Sequence, residues 1–205
     1  MAVEKPGSAP RHMVVNKNGK YLYVLMELTN ELVVYDLQNG RESPTFYQAF
    51  PLIPECNVFL RLLSPQSLTY RPVNYCTTSG SNNTLYWSAE VAFSPSGKFL
   101  WASSRGQEGS GKVGYLSAFR LDEDGRITKY LFMQPTQTID AGTNQVSPAF
   151  WTDEWIAMAD YGRGGSAGTG YVQMWRFDPE AETLTAVAKV NINDGGCCAN
   201  VVWYD

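Results

Sequence analysis

Hydrophobic and polar side chains alternate in short runs along most of this chain. A period of two places successive side chains on opposite faces of a β-strand, whereas a helix needs a period of about 3.6. The runs are rich in aromatic and β-branched residues and end at Gly, Pro, Asn or Asp, as strands do. No stretch has a convincing helical period. The pattern predicts strands over His12–Asn16, Tyr21–Glu27, Glu31–Leu37, Glu90–Phe93, Phe99–Ser104, Tyr115–Leu121, Ile127–Phe132, Trp155–Asp160, Tyr171–Phe177 and Thr183–Val190.

Turn residues separate several of these runs. Lys17–Gly19 and Ser94–Gly97 each end in glycine, as do Leu37–Gly40 and Asp122–Gly125. Short connections of this composition are typical of β-hairpins, because Asn, Asp and Gly adopt the left-handed backbone that a tight turn requires. The expected fold class is therefore all-β, with antiparallel strands.

An internal repeat organises these strands into units. Asn16–Val24 reappears as Ser94–Ala102, and each copy is followed by a second hairpin that begins at Leu32–Leu37 or at Leu116–Leu121. A weaker third copy begins at Trp155. Four strands per unit, at a period near the roughly 40 to 50 residues of propeller blades, predict a β-propeller of four-stranded antiparallel blades.

The predicted blades form a single domain and cover about residues 9–50, 88–140 and 145–191, with a terminal strand over 199–203. Residues 51–87, rich in Pro, Ser, Thr and Asn, are expected to form an inter-blade insertion. Three blades cannot close a ring, since closed propellers use about four to eight. The open flanks should expose Leu, Val, Phe and Trp, so we expect self-association through the open edges.

Composition excludes several classes of partner. The 205 residues include 16 Lys and Arg against 20 Asp and Glu, and no basic run gives a footprint for nucleic acid. No apolar stretch approaches the roughly 20 residues that span a membrane, and the N-terminus lacks the apolar region of a secretory signal. We therefore expect a cytoplasmic protein with no nucleic-acid or membrane partner. One His and no clustered ligand spacing predict no metal site.

Short motifs carry a resemblance to a known family. Ala9–His12, Gly19–Val24 and Glu27–Leu28 resemble the lactonase-type seven-bladed propellers. Ser103–Gly106 and the ending Gly195–Tyr204 are more similar to one branch of that family, the fungal carboxy-cis,cis-muconate cyclases, or 3-carboxymuconate lactonising enzymes. The resemblance covers essentially the whole chain. It implies a C-terminal half of a seven-bladed propeller, with the missing blades upstream of the first residue.

The resemblance also implies an active site of two arginines, a glutamate and a histidine around a central channel. Arg11, Glu27 and Arg105 match three of these positions, and we expect them to be catalytic. The matching histidine would belong to an earlier blade, because His12, the single His of the chain, is the neighbour of a matched arginine. His12 and Glu90, on the inner strands of the first two blades, are expected to contribute to substrate binding.

These side chains suit the chemistry that the resemblance implies. The arginine fork binds a carboxylate with two hydrogen bonds and stays cationic at any working pH, while a glutamate can shuttle or orient a proton. Plainer interpretations stand beside these. Arg11 could be a surface side chain, Glu27 and Arg105 could form an ion pair without a catalytic role, and His12 and Glu90 could occupy ordinary strand positions.

The implied activity is the cycloisomerase-type lactonisation of 3-carboxy-cis,cis-muconate, a step in aromatic (protocatechuate) catabolism. It would act on a small polycarboxylate without a metal or organic cofactor, and we expect it to be impaired without the upstream blades. One alternative is a lactone hydrolase of the 6-phosphogluconolactonase type, in which the cationic channel would hold a phosphate. Another is a non-catalytic half-propeller that serves as an interaction surface.

Overall fold

The structure is a computed structural model that describes residues 8–38, 43–54, 85–139, 145–160, 170–192 and 200–204. These residues form strands and turns without an α-helix, which confirms the all-β class, and they contain no apolar helix long enough to cross a membrane. The strands are β1 (Pro10–Val15), β2 (Tyr21–Met26), β3 (Glu31–Asp36), β4 (Thr45–Pro51), β5 (Tyr86–Phe93), β6 (Phe99–Gly106), β7 (Val113–Leu121), β8 (Ile127–Ile139), β9 (Gln145–Pro148), β10 (Trp155–Asp160), β11 (Gly170–Asp178) and β12 (Thr183–Ile192).

The strands form three four-stranded antiparallel sheets, each paired in chain order. We call them blade 1 (β1–β4), blade 2 (β5–β8) and blade 3 (β9–β12). The first strands of neighbouring blades contact each other, β1 with β5 and β5 with β9, as the inner strands of a propeller do. The four-stranded blades predicted from the repeat are thus confirmed. The hydrophobic pattern misses β4 and β9, because β9 has only four residues and β4 is partly exposed.

The hydrophobic core lies between the blades rather than inside any one of them. Alternate residues of β2 and β3 face blade 2, as the period of two requires, and the same rule directs one face of blade 2 toward blade 3. The large buried side chains of the first interface include Tyr21, Tyr23, Leu25, Leu100 and Phe119, and those of the second include Trp101, Leu116, Ile156 and Phe177. Each blade is therefore positioned by the apolar faces of its neighbours.

One expectation is wrong for the face of blade 1 that points away from blade 2. An open flank was expected to expose apolar side chains, but Val24, Met26, Val33 and Tyr35 are buried and form a cluster of their own. Blade 3, in contrast, does expose Val187 and Val190 on its outer strand β12. Other large exposed apolar side chains lie on β1, on β4 and in the β9–β10 turn, and they include Met13, Val15, Phe46, Phe150 and Trp151. Self-association stays a prediction.

Residues 200–204 also differ from the expectation. A terminal strand was predicted over 199–203, yet the described residues 200–203 form no strand. The Trp203 Nε1 group donates to the backbone oxygen of Ser147 at 3.0 Å, and the Trp203 ring meets Trp151 edge-on. A strand needs a ladder of backbone hydrogen bonds. No described strand provides one here, and the Trp203 side chain connects this segment to blade 3.

Side chains of blade 1 are hydrogen-bonded to the β7–β8 turn of blade 2. Asn16 donates from Nδ2 to the backbone oxygen of Asp124 at 2.7 Å, and the Tyr23 hydroxyl donates to the backbone oxygen of Gly125. Burial raises the pKa of the Tyr23 phenol, so this group remains a hydrogen-bond donor at any ordinary pH. Gly125 has a left-handed φ of +96°, and a Cβ there would lie 2.0 Å from Asn16 Nδ2.

Substitution of Gly125 tests this contact between the blades. We expect Gly125→Ala to lower the free energy of unfolding by roughly 2–4 kcal/mol, because backbone strain and a steric clash add. The control is Gly109→Ala, where φ is +75° and nothing lies within 4 Å of the added Cβ. It should cost only about 1–2 kcal/mol, the strain alone. Urea unfolding of both variants makes the comparison, and equal losses would contradict the proposed clash.

Candidate active site

Two β-bulges shape the inner strands where the candidate residues lie. The pairing of β1 with β2 slips by one residue at Arg11 and His12, and that of β5 with β6 slips by one residue at Ala89 and Glu90. At a bulge, two residues of one strand oppose a single residue of its partner, which interrupts the alternation of side chains and redirects them. Both inner strands therefore depart from regular geometry at the positions that carry charged side chains.

Glu27 is the centre of the first group of side chains. It directly follows β2, and its Oε1 lies 2.7 Å from Nη1 of Arg11 and 3.0 Å from Nη2 of Arg105. Arg11 belongs to blade 1 and Arg105 to blade 2, so one carboxylate oxygen joins the two blades. The structure thus brings together the three residues expected to be catalytic. Their catalytic role stays a prediction.

Arg105 is held more firmly than Arg11. Its side chain is only 9% exposed, compared with 29% for Arg11, and its guanidinium carbon lies 5.1 Å from the centre of the Trp87 ring. The next residue, Gly106, allows a close backbone approach, since a Cβ there would lie 2.0 Å from the backbone oxygen of Lys112. Trp87, directly opposite Arg105 in the ladder, is a site residue that the sequence reasoning missed.

His12 and Glu90 form a second contact between the same two blades. The His12 Nδ1 atom lies 2.6 Å from Oε1 of Glu90. The same carboxylate oxygen accepts the backbone N–H of Val91 at 3.0 Å, and the backbone N–H of Glu90 donates to Oγ of Ser103 at 3.2 Å. The structure therefore places both residues that were expected to bind substrate in the seam between blade 1 and blade 2.

The two contacts follow the internal repeat. His12 and Glu90 are 78 positions apart, as are Glu27 and Arg105, and this is also the separation of the repeated segments. Each contact thus joins equivalent positions of neighbouring blades. Because the equivalent residues carry complementary groups, the repeat that builds the blades also pairs the site residues across the seam.

Backbone hydrogen bonds fix the position of Glu27. The backbone N–H of Glu27 donates to Ala9 at 2.8 Å, and its backbone oxygen accepts the N–H of Ser88 in β5 at 3.1 Å. Asn30, in the same turn, is buried with a left-handed φ of +55°, and its Nδ2 donates to the backbone oxygen of Tyr86 at 3.0 Å. The sequence did not single out Asn30 or Ser88 as site residues. An Asn after an apolar strand predicts such a turn, but it does not predict which strand the turn contacts.

Two clefts of the described surface lie away from these side chains. One, lined by Asn16, Lys17, Phe93 and Lys98 among others, is at the opposite ends of β1 and β5. Another lies beside the β11–β12 turn of blade 3. No three His, Cys, Asp or Glu side chains group as metal ligands within the described ranges. The seam between blades 1 and 2, rather than these clefts, gathers the five candidate residues.

The three four-stranded blades, with neighbouring first strands in contact and a charged cluster at the seam between blades 1 and 2, define part of a β-propeller. The chain belongs to the family described as "Lactonase, 7-bladed beta-propeller", whose profile matches residues 2–140. The motif residues 195–199, which also carried the resemblance, lie outside the described residues.

Individual relatives share the fold and part of the sequence. The chain is 32% identical to the carboxy-cis,cis-muconate cyclase of Neurospora crassa over 98% of its own length, and 23% identical to a 6-phosphogluconolactonase of Pectobacterium carotovorum over 97%. It covers 48% of each relative, so it spans about half their length. The structure superimposes on the Pseudomonas aeruginosa periplasmic gluconolactonase PpgL with a TM-score of 0.61 and 17% identity, covering 94% of this chain and 42% of that protein.

The unequal burial of the two arginines can be tested by double-mutant cycles. We expect the coupling of Glu27 with Arg105 to be roughly 1–3 kcal/mol and that of Glu27 with Arg11 to be below about 1 kcal/mol, because water screens the more exposed pair. Glu→Gln and Arg→Gln variants, measured by urea unfolding, give both values.

The exposed pair Arg176 and Glu154 is the control for these cycles. Its nitrogen–oxygen distance is 3.3 Å and its side chains are 64% and 44% exposed, so its coupling should be near zero. A larger coupling for Arg11 than for Arg105 would contradict the assignment of Arg105 as the firmly held partner of Glu27.

Proposed function

We propose that the seam between blades 1 and 2 binds a small polycarboxylate and closes it to a lactone, with 3-carboxy-cis,cis-muconate as the favoured substrate. The observation that carries the proposal is the meeting of two guanidinium groups, from two blades, at one oxygen of Glu27. Membership of the lactonase-type family and 32% identity to a carboxy-cis,cis-muconate cyclase support this chemistry. The reaction would consume a ring-cleavage product of aromatic catabolism.

Hydrogen-bond donors remain for such a substrate. A guanidinium has five N–H donors, and Arg11 uses Nη1 for Glu27. Its side chain is 29% exposed, so N–H groups that do not pair with Glu27 are accessible to a substrate carboxylate. Arg11 is therefore suited to hold a substrate carboxylate while it remains paired with Glu27.

The chemistry needs positive charge at two places. One carboxylate oxygen of the substrate adds to a carbon of the conjugated diene, so a C–O bond forms and a C=C π bond breaks. The displaced electron pair passes into the neighbouring carboxylate as an enolate, and a proton then adds to carbon. Arginine stays cationic throughout, so Arg11 and Arg105 can neutralise both the bound carboxylates and the enolate. Glu27 keeps both guanidinium groups in place.

Hydrolysis of a lactone is the alternative function for the same residues. Its support is the 23% identity to a 6-phosphogluconolactonase over nearly the whole chain. Attack of water on a lactone carbonyl also creates an oxyanion, and a guanidinium stabilises it as it stabilises an enolate. The two reactions differ in the charged groups of their substrates. The muconate carries three carboxylates, whereas the phosphorylated lactone carries a phosphate and no free carboxylate. A comparison of substrates therefore distinguishes them.

The proposal predicts the behaviour of arginine variants. We expect the chain to convert 3-carboxy-cis,cis-muconate in preference to 6-phosphogluconolactone. The first reaction is monitored by the loss of diene absorbance and the second by the release of acid. Arg11→Gln and Arg105→Gln should each lower kcat/KM by about 10²–10³-fold, because each removes a charge that stabilises the enolate. Calorimetric titration with the lactone product should show weaker binding by both variants.

Arg176→Gln is the control, since it removes the same charge from an exposed side chain of blade 3. Its kcat/KM should equal that of the unmodified chain. Preference for the phosphorylated lactone would replace the proposal by the alternative. Conversion of neither substrate by the folded chain would contradict a catalytic function for these residues.

A further inference from the structure

We infer that His12 and Glu90 form a histidine–carboxylate dyad in which Glu90 orients the imidazole and Nε2 of His12 transfers the proton of the reaction. The inference rests on the proposed function, because it assigns the proton step of that same site. It goes beyond substrate binding, the role that the sequence suggests for both residues.

The contact between the two side chains determines where the imidazole carries its proton. The His12 Nδ1 atom lies 2.6 Å from Oε1 of Glu90. An ionised carboxylate only accepts hydrogen bonds, so the contact requires a proton on Nδ1. In the neutral imidazole this leaves the lone pair on Nε2, which can then accept a proton. Histidine–carboxylate pairs in enzymes select the tautomer in this way.

Burial divides the roles between the two residues. The Glu90 side chain is 12% exposed, whereas that of His12 is 37% exposed. Glu90 is also fixed by its own bulge, since Oε1 accepts the N–H of Val91 and the backbone N–H of Glu90 donates to Ser103. A carboxylate that is shielded and fixed cannot approach a substrate easily, but it can hold an accessible ring. Glu90 is thus a positioning residue, and His12 is the group that reaches the substrate.

The dyad and the arginines that would bind the substrate occupy neighbouring positions along the strands of one seam. His12 follows Arg11 directly within the bulge of β1. On β6, Ser103 and Arg105 are two residues apart and so share a face of the strand. The N–H of Ser88, two residues before Glu90, donates to the backbone oxygen of Glu27. The dyad and the Glu27 group are therefore built from the same four strands and turns of one seam.

The proton balance of both candidate reactions fits this pair. In lactonisation, protonated His12 gives the Nε2 proton to the enolate carbon, a C–H bond forms, and solvent restores the proton to Nε2. In hydrolysis, neutral Nε2 takes a proton from the attacking water and returns it to the ring oxygen as the C–O bond breaks. Glu90 keeps its negative charge in either case and stabilises the imidazolium. No oxidant or reductant is required.

Kinetics of three variants provide the first test. Loss of a proton-transfer group typically costs about 10²–10⁴-fold, so His12→Gln should lower kcat by that factor with little change in KM. Glu90→Gln should lower kcat by about 10–100-fold, as expected for a group that orients another. The matched control is Glu182→Gln, because Glu182 is similarly shielded at 15% exposure but pairs with Arg120 and Lys129. It should retain full activity.

The single histidine makes a direct measurement possible. Because the chain has one His, long-range ¹H–¹⁵N correlation spectra of the labelled protein contain one imidazole pattern. At about pH 9, above the usual histidine range near 6.5, we expect the Nδ1–H tautomer in the unmodified chain. Glu90→Ala should restore the Nε2–H tautomer that free histidine favours, whereas Glu182→Ala should change nothing.

The two measurements separate failure of the dyad from failure of the proposed function. An Nε2–H tautomer in the unmodified chain, or a tautomer that is unchanged in Glu90→Ala, would overturn the dyad. So would an active chain in which His12→Gln keeps its kcat. If the folded chain converts no substrate, the proposed function fails, and the tautomer still decides whether Glu90 orients His12. Backbone amide spectra of each variant verify that it is folded.

Discussion

Glu27 and Arg105 meet because the turn after β2 is hydrogen-bonded to the first strand of the next blade. The N–H of Ser88 binds the backbone oxygen of Glu27, and buried Asn30 donates to Tyr86 in that same strand. These bonds set the spacing of the two sheets at the Glu27 end of the seam, as the hydrogen bonds to the β7–β8 turn do at its other end. The apolar side chains between the two ends bury surface but do not specify direction.

The internal repeat gives this seam its particular chemistry. Equivalent positions in blades 1 and 2 lie 78 residues apart, and the seam brings them into contact. At one such position the pair is His12 with Glu90, and at the other it is Glu27 with Arg105. Equivalent positions with identical charges would repel each other across the seam. Divergence of the two repeats to complementary residues places the arginine–glutamate group and the proposed histidine–carboxylate dyad in one seam.

Burial distinguishes the contributions of the two blades. Arg105 and Glu90, from blade 2, are shielded and held by neighbours, whereas Arg11 and His12, from blade 1, are more exposed. Blade 2 therefore contributes the more firmly held arginine and the fixed carboxylate, and blade 1 contributes the more accessible arginine and the imidazole. Preorganised groups of this kind do not have to reorganise when charge develops on a substrate, which is the main source of electrostatic catalysis. Blade 2 acts as the support, and the bulge of β1 presents the side chains that reach outward.

The sequence by itself determined the all-β class, the four-stranded units and the identity of the charged residues, because strand periodicity, turn residues and repeats are local properties of the chain. It also singled out Arg11, Glu27 and Arg105 by motif. It could not identify β9, the bulges, or the supporting roles of Trp87, Ser88 and Asn30. These depend on register and on contacts between positions far apart in the chain, and a slip of one residue redirects every side chain of a strand. Only the tertiary structure decided that His12 meets Glu90, since the packing of two blades, rather than either strand alone, sets that distance.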